Sequence, residues 1–279
     1  MSYSLFDTHT HFDVPDFDAD REQLAHAAKA VGVERLILIG FVQSRFQDLL
    51  YTQHFLNQLK DAPQSYLAPG LHPVYIERHH TSHLADLESL LKNEDCVAVG
   101  EIGLDTFLAQ HKQPAMFQKQ KDFFAAQLEL AQQFDKPVLL HISKSHAETL
   151  AILKQQQFSL GGIAHAFSGG IEEAKAFIQL GFKIGVTGQI TNPNAKKLHR
   201  VVQAIGAEHL VLETDCPDMT PLCCQSSTEH RTRNTPVNLP YVLDGLAQSL
   251  NLDQAMLAAQ LLDGHACFGF TQETDDLFF

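Results

Sequence analysis

Eight short apolar runs, each followed by a longer amphipathic stretch, predict an α/β fold whose parallel strands close into a TIM (β/α)8 barrel. The runs are near-continuously apolar, as strands of a parallel sheet covered by helices must be. Eight is a number that closes a barrel, and 279 residues suit a single barrel domain over 1–279. A doubly wound open sheet is the alternative. No Gly-x-Gly-x-x-Gly stands between a strand and a helix, so the dinucleotide fingerprint common in such sheets is missing.

The elements follow in order. An early strand over 5–9 leads to a helix over 19–31, and the apolar Arg35-Leu36-Ile37-Leu38-Ile39-Gly40 is a buried strand before a helix over 44–60. A third strand over 65–71 precedes a helix over 81–91, and a fourth over 96–101 precedes a long helix over 114–134. Pro114 stands near that helix start, where its missing N–H costs little. Strands over 137–141, 162–165, 182–186 and 210–215 alternate with helices over 145–156, 171–180 and 194–205. After a loop to about Pro236, helices over 238–249 and 253–262 close the pattern.

The composition, 44% hydrophobic and 19% charged, is that of an ordinary globular chain. No run approaches the roughly 18 apolar residues of a membrane span, and no basic start leads into an apolar stretch at the N-terminus. A cytoplasmic location is the expectation, with no membrane and no obligate protein partner. Five cysteines argue against a disulfide framework. The net charge of -13 does not draw nucleic acid from a distance, yet bound divalent cations can supply local positive charge to a nuclease.

The polar residues at strand ends carry the functional signal. His9 and His11 follow the first strand, Glu101 ends the fourth, His141 the fifth, His165 the sixth and Asp215 the eighth. That is the face on which such barrels carry their active sites. Four histidines and two carboxylates exceed the needs of one tetrahedral ion and suit two divalent ions (Zn, Mg or Mn) sharing a bridging carboxylate. Such a pair acidifies a bound water and clamps both oxygens of a phosphoryl displacement, with Asp215 as the proton acceptor.

Five segments also carry a resemblance. Asp7-Thr8-His9-Thr10-His11-Phe12-Asp13, Gly70-Leu71-His72-Pro73, Val97-Ala98-Val99-Gly100-Glu101-Ile102-Gly103-Leu104-Asp105, His165-Ala166-Phe167-Ser168-Gly169 and Leu212-Glu213-Thr214-Asp215-Cys216-Pro217 resemble the signatures of the TatD family. These are metal-dependent deoxyribonucleases of the amidohydrolase superfamily. The resemblance runs over about 5–268 and looks closest to the YjjV-like branch. It implies that His9, His11, Glu101 and Asp215 hold one ion, and Glu101, His141 and His165 the second, with Glu101 bridging. It further implies hydrolysis of DNA phosphodiesters, with Asp215 and Glu101 in the catalytic roles. The alternative keeps the site but uses it on an ester or amide, such as D-aminoacyl-tRNA. A purely structural metal site is disfavoured, because such sites close their coordination.

Two departures stand out. Lys144 replaces an arginine that the family often has soon after the strand-five histidine, and an ammonium lacks the bidentate fork of guanidinium. In Arg233-Asn234-Thr235-Pro236-Val237-Asn238, Thr235 stands where the family has Glu. His72, Lys144 and Glu213 are candidate substrate contacts. Asp7 is a candidate support for a ligand histidine, and Asp105 for the loop after Glu101. Cys216, Cys223, Cys224 and His230 lack the paired spacing of a zinc knuckle, and His79, His80 and His83 read as a solvated cluster.

Overall fold

A computed structural model of the chain describes residues 3–227 and 231–263. Strands β1 (Leu5–Thr10), β2 (Val33–Ile39) and β3 (Gln64–Ala68) form one parallel ladder. Strands β4 (Val99–Asp105), β5 (Val138–Ser143), β6 (Gly162–Ala164), β7 (Phe182–Val186) and β8 (Leu210–Leu212) form a second. The two ladders meet at both seams. Val97 N–H donates to the Leu67 carbonyl (2.9 Å) and Gly100 N–H to that of Pro69 (3.0 Å). On the other side His11 N–H donates to the Cys216 carbonyl and Asp215 N–H to that of His9, each at 2.9 Å. The result is a closed parallel barrel, as the alternation of runs predicted.

Helices α1 (Arg21–Ala30), α2 (Phe46–Gln58), α3 (Ser82–Asn93), α4 (Pro114–Gln133), α5 (His146–Gln155), α6 (Ile171–Gln179), α7 (Lys196–Ile205), α8 (Leu239–Leu250) and α9 (Gln254–Asp263) accompany the strands. The two-residue period of a strand sorts the core into two layers. In β2, Leu36 and Leu38 join the large cluster shared with the helices, whereas Ile37 and Ile39 join Phe6, Ala68, Leu139, Ile163 and Val211 inside the barrel. Burying each such aliphatic side chain is worth about 1.5–3 kcal/mol.

The largest departures from the expected strand boundaries are in β3, β4 and β8. β3 stops at Ala68 because Pro69 has no N–H to continue the ladder. β4 runs past Glu101 to Asp105, and its register against β5 shifts between Gly100 and Ile102. β8 ends at Leu212, since Thr214 N–H turns to the Asp7 carboxylate (2.9 Å) rather than to a neighbouring strand. The ends of the 1–279 domain, together with His230 and Cys267, lie outside the described residues. Among the described residues no helix is long and apolar enough to cross a membrane.

Candidate metal centre

The barrel's closure brings His9, His11, Glu101, His141, His165 and Asp215 to one place, together with His72. Three sets of donors each lie within 4.8 Å of one another: His9, His11 and Asp215; His9, Glu101 and His165; His72, Glu101 and His141. Glu101 sits between them, 1% exposed. Its Oε2 faces His9 Nε2 (3.2 Å) and His11 Nε2 (3.7 Å), and its Oε1 faces His141 Nδ1 (2.8 Å) and His72 Nε2 (3.3 Å). His165 Nε2 lies 3.5 Å from Asp215 Oδ1, and its ring stacks on His9 with centroids 3.4 Å apart. His165 thus lies beside His9, while His72 accompanies His141, a different grouping from the one the resemblance implies.

Hydrogen bonds behind the rings decide which nitrogen is free. His11 Nδ1 faces the Ile39 carbonyl (3.1 Å), an acceptor only, so Nδ1 carries the proton and Nε2 keeps its lone pair for the centre. His165 Nδ1–H donates to Glu213 Oε2 (3.0 Å), which leaves Nε2 free in the same way. His141 Nε2–H donates to Asp105 Oδ2 (3.0 Å), so Nδ1 is the nitrogen turned to Glu101. His9 has no hydrogen-bond partner at either ring nitrogen, although both are buried. Its 3.2 Å approach to Glu101 lacks hydrogen-bond alignment. An orphaned buried imidazole facing two carboxylates is what a cation-binding position requires.

His72 is different. Its Nδ1 accepts the Val74 backbone N–H (3.0 Å), so in the neutral ring the proton sits on Nε2, pointing at Glu101. Burial pushes His72 down to about 4, which keeps the ring neutral. It is therefore a hydrogen-bond donor to Glu101 rather than a lone-pair ligand.

The electrostatics agree with this donor set. Burial pushes the Glu101 carboxyl up, but His72, His9 and His165 outweigh it and hold it well below the usual carboxylate range. Burial lowers His141, but hydrogen bonds to Asp105 and Glu101 raise it to about 9. Burial also lowers His165, while Glu213 and Asp215 carry it well above its ordinary value. Protons held this tightly among carboxylates mark a place where a divalent ion can take over their role.

The local chain is built to hold these groups. Asp215 has φ of +53°, a left-handed conformation uncommon outside glycine. It is held by its own N–H to His9 and by Asn234, which is fully buried and donates to the Thr214 carbonyl (2.8 Å). Asn234 is a residue that the altered Arg-Asn-Thr-Pro segment pointed towards without assigning it this task. Arg233 of the same segment pairs with Asp20. Gly185 leaves room for the Glu213 carboxylate, which a Cβ there would overlap. Asp7 accepts the N–H and hydroxyl of Thr214 and the backbone N–H of His9 (3.4 Å), so it holds that histidine by its backbone and not by its ring. Glu213 is buried behind His165 rather than set in the cavity wall. His111, which strand-end reasoning missed, pairs with Asp105 at 3.0 Å.

In front of the centre opens a cavity of ≈ 690 Å³. His72, Phe41, Tyr75, Phe107, Lys144 and Arg231 help to line it. Lys144 Nζ stands 4.6 Å over the Phe107 ring, and Arg231 pairs with Asp218 at 3.0 Å.

Comparison with known proteins completes the picture. The family model described as TatD related DNase matches residues 6–264. The chain is 38% identical over 221 residues to the uncharacterized metal-dependent hydrolase YjjV of Escherichia coli (strain K12), covering 78% of this chain and 82% of that one. It is 34% identical over 234 residues to the 3'-5' ssDNA/RNA exonuclease TatD of Edwardsiella piscicida, covering 83% and 86%. The crystal structure of the TatD homologue YjjV from Escherichia coli K12 superposes with a TM-score of 0.84 at 33% identity, over 95% of this chain and 97% of that one. With the motifs, the barrel and these matches in agreement, the chain belongs to the TatD related DNase family.

Proposed function

We propose that the chain is a divalent-metal-dependent hydrolase that cleaves phosphodiester bonds of DNA, the deoxyribonuclease reading of its family. The observation that carries it is the set of four imidazoles whose free nitrogens converge on Glu101 and Asp215. His9, His11, His165, Glu101 and Asp215 would hold one ion, and Glu101 and His141 the other. Bound ions supply Lewis acidity, which acidifies water and offsets charge on a phosphate.

The chain's own residues do the rest. Burial raises the Asp215 carboxyl, but His165, His9 and His11 hold it below its ordinary value, so at neutral pH it is an ionised acceptor for the proton of the attacking water. His72, on the cavity wall, turns its Nε2–H to Glu101 Oε1 and so helps to hold that carboxylate in place beside the substrate. Lys144, at the mouth, attracts the phosphate backbone as a point charge. A cavity of this size takes the end of a strand, and the acidic surface disfavours tight binding of long duplex DNA.

The test is hydrolysis after reconstitution with Mg, Mn or Zn ions, on short single-stranded DNA and on a D-aminoacyl-tRNA, with Asp215→Asn as control. Shortening of DNA that disappears in the control is the expected result. Release of the amino acid alone would assign the same centre to ester hydrolysis and overturn the nuclease reading.

A further inference from the structure

We propose that His111 and Asp105 form a positioning pair that sets the affinity of the β4–β5 half of the metal centre, an inference that rests on the two-ion reading above. Asp105 divides its carboxylate between two imidazoles. Oδ2 accepts from His141 Nε2 (3.0 Å), while Oδ1 accepts from His111 Nδ1 (3.0 Å) and from the Phe107 N–H (2.9 Å). An ionised carboxylate only accepts, so each ring nitrogen facing it carries a proton. The backbone of Asp105 is clamped as well. Gln120 of α4 accepts its N–H (2.8 Å) and donates to its carbonyl (3.0 Å).

All three residues are sealed from solvent, at 4% exposure for Asp105 and 1% each for His111 and Gln120. Neither Asp105 nor His111 lines the cavity, so neither is placed to touch a substrate. Their joint effect is on His141. With Nε2–H anchored to Asp105, the ring is held with Nδ1 facing Glu101, and His111 keeps the anchoring carboxylate from turning. Partners of this kind, one bond removed from a ligand, typically change metal affinity by about 10- to 100-fold.

The experiment is a calorimetric titration of the metal-free chain with Mn or Zn ions, comparing wild type, His111→Leu and His111→Asn. The apolar variant is expected to weaken one of the two ions by about 10- to 100-fold and leave the other unchanged. The Asn variant retains an N–H close to the place of Nδ1 and is expected to recover most of the loss. A purely structural role for His111 would lower the unfolding temperature without this one-ion selectivity. A folded His111→Leu chain that binds both ions as wild type does, or weakens both equally, overturns the proposal. Should that variant fail to fold, Asp105→Asn is read in its place, with the same selective weakening expected and the same results overturning it. A wild-type chain that binds no divalent ion overturns the two-ion reading itself, so the two failures are told apart.

Discussion

The two halves of the centre use one chemical device in two structural settings. On the β8 side, His165 is anchored by Glu213, which also accepts the Ala166 N–H (3.0 Å) and lies fully buried one residue beyond the strand. On the β4 side, His141 is anchored by Asp105, whose support comes from the turn that carries His111 and from α4. The first anchor is made by neighbouring barrel strands, with Gly185 of β7 giving it space. The second ends β4 itself and depends on how a loop and a helix pack behind it. Both anchors stand at a strand end, but the one backed by a neighbouring strand needs few accessory residues to aim an imidazole, whereas the one backed by a loop and a helix needs a chain of them.

The largest expected effect belongs to Asp215, on the strand-built side. Asp215→Asn should lower kcat by about 10²–10⁴-fold while circular dichroism and unfolding temperature stay those of wild type. A folded variant that keeps most of the wild-type rate would move the proton acceptor elsewhere. Next, His9→Ala combined with His11→Ala should empty the β1/β8 half alone. Elemental analysis is expected to show the metal content halved with the barrel intact, and an unchanged content would remove both residues from the ligand set.

Glu213→Gln sharpens the comparison directly, because it keeps the acceptor but removes the charge behind His165. Its expected cost is about 10- to 100-fold in the affinity of one ion, read by competition with a chelating dye; wild-type affinity would show that the anchor is dispensable. His72→Phe separates donor from ligand. Loss of one hydrogen bond to a charged oxygen should lower kcat/KM by about tenfold at full metal content, whereas a lost ion would make His72 a ligand. Smallest is Lys144→Ala, expected to raise KM by about two- to fivefold with an effect that fades as salt is added. No change at low salt would take Lys144 out of the substrate path.

Much of this was legible in the chain itself. The apolar runs located the strands because a parallel barrel demands continuous burial, as in the segment Leu36-Ile37-Leu38-Ile39 of β2. His9, His11, Glu101, His141, His165 and Asp215 stood out because strand ends converge at one mouth. What stayed hidden depended on contacts between distant segments. Asp7 reads as a partner for its neighbouring histidines, and it does accept the His9 backbone N–H, yet its shorter bonds go to Thr214 across the barrel seam. The donor character of His72 follows from the turn at Val74, which no periodicity reports. His111 lies in an irregular stretch between β4 and α4, six residues after Asp105, where only the folded turn Gln110–Lys112 aims its ring back at the carboxylate.

Central to the account is the proposal that Glu101 would be shared by two ions. The most direct test is electron paramagnetic resonance of the metal-free chain titrated with Mn ions. Two ions about 3.5–4 Å apart predict a spin-coupled signal that grows as the second equivalent binds and is absent from Glu101→Gln. A spectrum of isolated Mn ions at every ratio would contradict a shared carboxylate and reduce the centre to a single ion.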